Sequence, residues 1–482
     1  MMKDIFSYID WPRGYDGTSL KMDILAGLTV ALVLIPQSMA YAEIAGLPPY
    51  YGLYASFLPP MVAALLGSSR QLATGPVAVV SLLTATTLEP LATAGSQQYI
   101  AYAVLLALLV GIFQFSLGVL KLGLVVNFIS HPVVNGFTNA AALIIATSQL
   151  PKLFGIHIDK APHHYETIYG VIKAAGHYMH WPTLFMGVLA FAVMYGLKRV
   201  SPRLPNVLVA VVITTTLSWS LGFEHNAVVD VSAVHSVHVN RLVSKFNSAL
   251  KSAMLLTEKR AQLIQRLNAG KDPANTLAKL ETRHAAERIA LQIEQLKTEA
   301  RNHRKQMRRF LLEGVRGSDG SLSFYPSNEI ADRNNVDGRV WRLKVGNTPL
   351  QTDRLPMIGG GEVVGHIPRG LPSFSLPQID YHIILHLLPF VIIISLLGFM
   401  EAISVAKAMA AKTGQRLDPN RELIGQGLAN ICGAVAKSYP ISGSFSRSAV
   451  NLQSGAVSGF SSVFTSLTVV VVLLVLTPLF YH

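Results

Sequence analysis

Long apolar stretches separated by short polar turns fill both ends of this chain, and a charged middle divides them. Residues 22–69 contain only Asp23 and Glu43 as charged side chains, 71–120 only Glu89, and 380–400 only Asp380. Runs of this kind are long enough to cross about 30 Å of hydrocarbon as helices. Their apolar periodicity predicts about eleven spanning or half-spanning segments, near 24–45, 51–67, 75–90, 100–120, 130–150, 182–199, 204–222, 382–409, 421–436, 444–457 and 459–480. Basic residues collect in alternate loops: Lys3, Arg13 and Lys21 before the first segment, then Arg70, Lys121, Lys198 with Arg199 and Arg203, and Lys412 with Arg416 and Arg421. The loops over 46–51 and 88–99 carry no Lys or Arg. The expected orientation therefore has the N-terminus in the cytoplasm; the loop at 151–181, with Lys152, Lys160 and Lys173, runs mildly against it.

The middle of the chain, 226–360, is rich in Lys, Arg, Glu and Gln. Val243, Phe246, Leu250, Met254, Ala261, Ile264 and Leu267 recur at spacings near three and four, and so do Ile289, Ile293, Leu296, Ala300, His303, Met307 and Phe310. That is a heptad-like, coiled-coil seam. Residues 268–273 interrupt it, with Asp272 placed to cap a second helix and Pro273 at its first position. The expectation is an antiparallel helical hairpin followed by a short β-containing stretch over 338–345. By segment count this insert lies on the non-cytoplasmic side, either as a solvated accessory domain or as a docking or oligomerising arm.

Composition narrows the class. Only 14% of the 482 residues are charged, where a soluble protein carries roughly a quarter. The net charge of +13 does not point to nucleic acid, because the basic residues sit in loops and in the insert rather than on one folded face. The single cysteine, Cys432, excludes an internal disulfide and a cysteine metal site. Residues 1–21, with Asp4, Asp10 and Asp16, do not read as a cleaved signal, so the first span is expected to serve as an uncleaved insertion signal.

Two segments read as broken helices. In 71–79, Thr74, Gly75 and Pro76 precede an apolar helix, with Thr suited to the cap and Pro to the first turn. In 439–451, Pro440 and Gly443 interrupt, and a Ser-rich turn opens a second helix. Irregular backbone at membrane depth is tolerated only where it lines a cavity or is buried in protein. Two helix N-termini facing one another would aim free N–H groups and positive dipole ends at one spot, which is an anion site. Ordinary re-entrant packing of small residues is the alternative. Among intramembrane ionisable residues, Arg447 adds a full charge to the second helix tip. Glu401 is a candidate proton carrier or else a structural partner of Arg447 or Lys407; Glu43 is a second candidate or an interfacial residue in water.

The stretches IPQSMAYAEIAGLPPYYGLYASFLPP, GSSRQLATGPVAVVSLL, VVNGFTNAAALIIATSQLPKLFGI, GFMEAISVAKAMAAKTGQRLDPNRELIGQGLANICGA and YPISGSFSRSAVNLQSGA, in that order, resemble the SulP family of anion transporters, the sulfate permeases. The resemblance covers roughly 20–225 and 361–480. It implies an all-α polytopic fold of two inverted seven-helix repeats, with a core and a gate that move against each other. It also implies an anion held between the third and tenth helices: Gln37 and Tyr41 flanking, Pro76, Val77 and Ala78 at the third-helix end, and Ser444, Phe445, Ser446 and Arg447 at the tenth. Glu401 matches a carboxylate that resembles a proton-coupling residue, and Val405 one turn later disfavours the sodium-coupled bicarbonate type. On this basis 1–225 is the first repeat, 226–360 an insert unusual for the family, and 361–482 helices eight to eleven of an incomplete second repeat, with half the gate and a STAS domain expected to be missing.

The expected activity is proton-coupled carriage of a small inorganic anion in a cell inner (plasma) membrane, sulfate first, with bicarbonate, chloride and dicarboxylates open. Partners are the anion, protons and the lipid bilayer, with a homodimer as the expected assembly; no cofactor, metal or nucleic acid is called for. The alternative is an anion-binding half-transporter or a non-transporting interaction protein. A membrane enzyme finds no support: there is no HExxH, nucleotide loop or Ser-His-Asp spacing, and the pair His163–His164 lacks acidic or Cys neighbours at ligand spacing.

Overall fold

The computed structural model describes residues 15–92, 94–123, 131–156, 158, 163–200, 206–269, 276–317, 321–326, 335–346, 348–361, 367–368, 370–377, 379 and 381–477. Two compact units emerge from it: one built from 1–149, 188–217 and 363–482, the other from 150–187 and 218–362.

In the first unit, α1 (Gly17–Ile44) begins where the Asp16 carboxylate accepts from the Ser19 N–H at 2.8 Å, capping an otherwise unpaired first turn. Two short helices follow, α2 (Tyr50–Tyr54) and α3 (Leu58–Leu66), then strand β1 (Ala73–Gly75) and the half-helix α4 (Ala78–Leu88). Next along the chain come α5 (Gln97–Val119) and α6 (His131–Leu153), then α7 (His164–Tyr178), which with the start of α8 (Trp181–Val200) belongs to the second unit, and α9 (Asn206–Leu221). Each of the predicted apolar segments contains a helix. Helix α7 corrects the expectation of a loop over 151–181. Its Ile156-side partners, Val171 and Ala174, bury a small apolar cluster, so the segment is amphipathic rather than spanning, and a hydropathy pattern tuned to spans passes over it.

Four described helices are long and apolar enough to cross a membrane: Gly17–Ile44, Gln97–Val119, Trp181–Val200 and Ile383–Thr413. Helix α8 has no buried residue, and Phe185 and Phe191 stand 62% and 65% exposed. An apolar helix that hides nothing in its own chain requires a hydrocarbon solvent or a further apolar partner.

The second unit holds the charged insert. Helices α10 (Val237–Ala269) and α11 (Thr276–Arg309) pack along each other as a hairpin. Strands β2 (Asn226–Val229), β3 (Leu312–Arg316), β4 (Leu322–Pro326), β5 (Val336–Leu343) and β6 (Leu355–Ile358) form an antiparallel sheet in the order β2-β6-β5-β3-β4. The sequence reading anticipated only its β5 portion. Val243, Phe246, Ala300 and Met307 of the predicted seam are buried at the foot of the hairpin, against Phe324, Trp341 and Leu355 of the sheet. Met254 is 59% exposed while Ala253 is buried, which corrects the seam by one position: a straight helix drifts from a strict seven-residue repeat. The turn over 270–275, with Asp272 and Pro273, lies outside the described residues.

The chain returns through α12 (Tyr381–Thr413), α13 (Pro419–Val435), strand β7 (Ser442–Ser444), the half-helix α14 (Phe445–Gln453) and α15 (Phe460–Val471), which runs on as a wider turn over Val472–Leu476. The first unit's core joins α1, α3, α4, α5 and α12 to α15. Helices α5 and α13 approach each other closely at glycines. A methyl group added at Gly427 would sit 2.5 Å from the Phe115 backbone nitrogen, and one at Gly111 would sit 2.7 Å from the Gly427 carbonyl. In lipid, where no hydrophobic force drives helices together, such backbone proximity supplies the packing. Buried carboxylates fasten the loops: Asp23 accepts from the Val457 and Ser458 N–H groups at 2.7 and 3.1 Å, and Glu422 from those of Ser68 and Ser69 at 2.9 and 3.1 Å.

Gly427→Ala is expected to force α5 and α13 apart at a cost of about 1–3 kcal/mol. The check is a lowered thermal midpoint of the detergent-purified protein, with an unchanged midpoint refuting the close contact.

Candidate functional site

The two interrupted stretches meet. Strands β1 and β7 pair antiparallel, Ala73 opposite Ser444, Thr74 opposite Gly443 and Gly75 opposite Ser442. Each strand runs into a helix, α4 after Val77 and α14 after Ser444. Because the strands are antiparallel, the helices leave in opposite directions and their N-termini flank one short ribbon, roughly 7–10 Å long for three residues at strand rise. No side chain caps α4, whose N-cap is Val77, so its first N–H groups remain free. Pro76 precedes that cap and is buried with Val77; Ala78 opens the helix and is half-buried. Thr74 is not the cap that the sequence reading assigned. It lies within β1, and its hydroxyl accepts from Gln426 Nε2 at 2.8 Å; the two intervening residues, Gly75 and Pro76, carry the chain on from the ribbon before α4 begins.

At the opposing tip, Ser444 caps α14, its Oγ accepting from the Arg447 N–H at 3.5 Å and lying 3.3 Å from Ser446 Oγ. Arg447 is wholly buried, and its Nε, Nη1 and Nη2 have no hydrogen-bond partner among the described residues. The guanidinium reaches across the ribbon. A methyl group built on Gly75 would stand 3.3 Å from Arg447 Nη2, a tight contact, and Gly75 has φ +149°, so the backbone conformation favours glycine there. Phe445 and Ser446 are exposed beside it.

Other elements supply the surroundings. Tyr41, Tyr439 and Glu401 lie within electrostatic range of the Arg447 guanidinium. Glu401 nevertheless makes no hydrogen bond to it, and its Oε2 is buried without a partner. Gln37, one turn before Tyr41 and just after Pro36 of α1, likewise keeps a buried, unpartnered Oε1. Glu43 is different: it stands exposed in the last turn of α1, two turns beyond Gln37. Buried polar atoms of α12 and α14, those of Glu401 and Arg447, thus stay without a partner among the described residues beside the ribbon, and Gln37 of α1 carries a third such atom. A buried charge without a partner is strongly unfavourable, and an anion between the tips would satisfy the guanidinium and the free N–H groups together.

The scaffold beneath the ribbon was not singled out from sequence. Ser442 Oγ donates to the Gly398 carbonyl, one turn before Glu401 on α12. Ser448 Oγ accepts from the Ala73 N–H at 2.9 Å. Asn430 holds the strand entry from both sides, accepting from the Ile441 N–H at 2.9 Å and donating to its carbonyl at 3.3 Å. Glu422, Gln426 and Asn430 recur every fourth residue on α13, a polar stripe on one helix face and the one available signal. As for the His163–His164 pair, His163 stacks on Tyr165, and no group of three or more metal-ligating side chains occurs among the described residues.

Comparison with known proteins agrees with this architecture. The profile of the Sulfate permease family matches residues 20–265 and 350–482, leaving out the middle of the insert. Similar curated proteins include Sulfate transporter 4.1, chloroplastic, of Arabidopsis thaliana, 32% identical over 99% of this chain and 51% of its own length. The Sodium-independent sulfate anion transporter of Bos taurus is 29% identical, over 100% of this chain and 62% of its own length. The chain therefore spans about half the length of the plant relative and somewhat more of the bovine one. Among solved structures, the transmembrane domain of the cyanobacterial bicarbonate transporter BicA superposes with a TM-score of 0.61 at 17% identity, covering 97% of this chain and 85% of that one. The murine Slc26a9 anion transporter in its inward-facing state gives 0.65 at 18%, covering 100% and 61%. At these identities the likeness speaks for the fold, a polytopic transporter fold.

Asn430→Ala should leave the Ile441 N–H buried without an acceptor, a loss of about 1–3 kcal/mol. A lower thermal midpoint in detergent checks it, and a midpoint equal to that of the parent protein would remove Asn430 from the supporting frame.

Proposed function

Because the chain belongs to the sulfate permease family, a family of transporters and not of enzymes, we propose that it carries a small inorganic anion, with sulfate as the substrate and protons as the coupling ion. The observation that carries this reading is the wholly buried Arg447, unpartnered at the meeting of two helix tips. Backbone N–H groups from α4 and α14, the Ser444 and Ser446 hydroxyls and the guanidinium would replace the water stripped from the ion. Hydrogen bonds to a full charge are about twice as strong as neutral ones, which suits a dianion that must be dehydrated. Pro76, Val77 and Ala78 would form one lip, Ser444, Phe445, Ser446 and Arg447 the other, and Gln37 and Tyr41 the side wall. Bicarbonate and chloride would fit the same cradle; the names of the sulfate-carrying relatives favour sulfate.

Glu401 is the coupling group in this proposal. It shares a buried, low-dielectric neighbourhood with Arg447 without being locked into an ion pair, so its proton and the anion each alter the other's binding through charge. Glu43, exposed at the end of α1, serves at most as an entry residue. The membrane is proposed to be the plasma membrane, the N-terminus cytoplasmic, the insert outside, and the assembly a homodimer.

Arg447→Gln removes a buried charged contact, worth about 2–5 kcal/mol, so sulfate affinity should fall at least ~30-fold. Equilibrium binding of radiolabelled sulfate to the purified chain measures this, and unaltered affinity would sink the site. Glu401→Gln should leave sulfate binding measurable while abolishing the response of uptake to an imposed proton gradient in proteoliposomes. Uptake that still follows the gradient would remove Glu401 from the coupling role.

A further inference from the structure

A basic cavity lies in the first unit, and Arg447 is not among its lining residues. It has a volume of about 590 Å³ and is walled by the loop after α3, the loop between α12 and α13, and the turn before α15. Three arginines, Arg70, Arg416 and Arg421, line it against one acid, Asp418. That carboxylate is already engaged as the N-cap of α13, accepting from the Asn420 and Arg421 N–H groups at 2.9 and 3.4 Å. Neither the Arg70 nor the Arg416 guanidinium has an ion-pair partner among the described residues. The basic loops that line the cavity are those which charge distribution assigns to the cytoplasm.

The cavity is built in advance. The Arg70 N–H donates to Gln415 Oε1 at 3.2 Å, and Gln415 Nε2 donates back to the Ser68 carbonyl. Ser68 Oγ reaches the Asp418 carbonyl at 3.1 Å. These bonds tie two loops together without using the heads of Arg70 and Arg416, so an anion would find the loops preorganised. One lining residue adds selectivity. Gln71 is 4% exposed, donates through Nε2 to the Ala456 carbonyl at 3.3 Å, and keeps its Oε1 buried with no partner among the described residues. The carbonyl of Ala456 fixes the amide orientation, so the free atom is an acceptor. It calls for a ligand that donates a proton as well as carrying negative charge. Inorganic phosphate at neutral pH retains a P–OH; sulfate retains none.

We propose that this cavity is a cytoplasmic site for inorganic phosphate, separate from the helix-tip site and discriminating against sulfate through Gln71. Its ligand would also be felt by the transport machinery. Gln71 lies two residues before β1, and its carbonyl accepts from Asn451 Nδ2 of α14 at 3.2 Å, so one residue touches both the cavity and the two elements that frame Arg447. The physical content is a linkage: phosphate bound here shifts the position or stability of β1 and α14.

The test uses the purified full chain in detergent, in the Arg447→Gln background that blinds the helix-tip site. Thermal midpoints are followed while inorganic phosphate, or sulfate at matched ionic strength, is titrated. Phosphate should stabilise saturably and sulfate at least ~10-fold less effectively. The pair Arg70→Ala with Arg416→Ala should raise the phosphate midpoint concentration on the order of tenfold, while Arg70→Lys with Arg416→Lys should retain most of the effect. Equal stabilisation by sulfate and phosphate overturns the proposal. So does an unchanged phosphate midpoint in the alanine pair. Loss of the phosphate effect through Arg447→Gln alone would assign it to the helix tips and likewise overturn the second site. Arginine-dependent stabilisation by phosphatidylglycerol vesicles, with none by phosphate, would make the cavity a lipid-headgroup site and reject the soluble ion.

Discussion

A guanidinium at membrane depth must be satisfied by something, and the arrangement around Arg447 follows from that constraint. Hydrocarbon offers no hydrogen bonds, so backbone that leaves a helix there has to pair within the protein. The two interrupted stretches solve this mutually: β1 and β7 spend their backbone groups on each other, and the helix starts beyond them keep N–H groups in reserve. Arg447 lies against the ribbon at Gly75, where an added methyl group would stand 3.3 Å from its Nη2. The broken helices, the short strands, the glycine and the buried charge form one interdependent unit; an unbroken helix through either stretch would remove the ribbon and the free amides together.

Much of this was legible in the sequence. Long apolar runs fixed the helices, since few other structures tolerate them, and Pro76, Pro440 and the serines around 442–448 marked the interruptions. The isolation of Arg447 and Glu401 among apolar neighbours marked the chemistry. The β1–β7 pairing was not legible, because three-residue strands far apart in sequence carry too little pattern and their partner is chosen by tertiary packing. Thr74 was misassigned for the same reason: by local propensity it is a helix cap, and only the ribbon and Gln426 turn it into a strand residue. Glu422, Gln426 and Asn430 were visible as a stripe yet read as part of an apolar span, because hydropathy averages a polar face away.

The polar groups under the site divide the work between rigidity and response. Asn430, Ser442 and Ser448 spend their donors and acceptors on backbone, which fixes where the helix tips stand. Gln37, Glu401 and Arg447 hold buried atoms without a hydrogen-bond partner among the described residues. A fully satisfied network would be more stable and would have nothing left for an ion, whereas unsatisfied atoms cost stability that a ligand returns on binding. This contrast between the two sets is the ground on which the proposed anion site rests.

The large charged insert poses the opposite question, how a membrane fold accepts so much foreign chain. Its first and last strands, β2 and β6, pair with each other in antiparallel register, Asn226 opposite Ile358 and Val229 opposite Leu355. The two ends of the insert, at 226 and 358, are therefore neighbours. Closing the ends of a long excursion in this way costs little more than closing a short one, because loop entropy grows only with the logarithm of length. The family profile skips 266–349, a stretch that holds the end of α10, all of α11 and strands β3 to β5, and that lies in sequence between β2 and β6. The helices on either side need not register what is hung between β2 and β6, and the buried contacts of the sheet with the foot of the hairpin give the insert a core of its own.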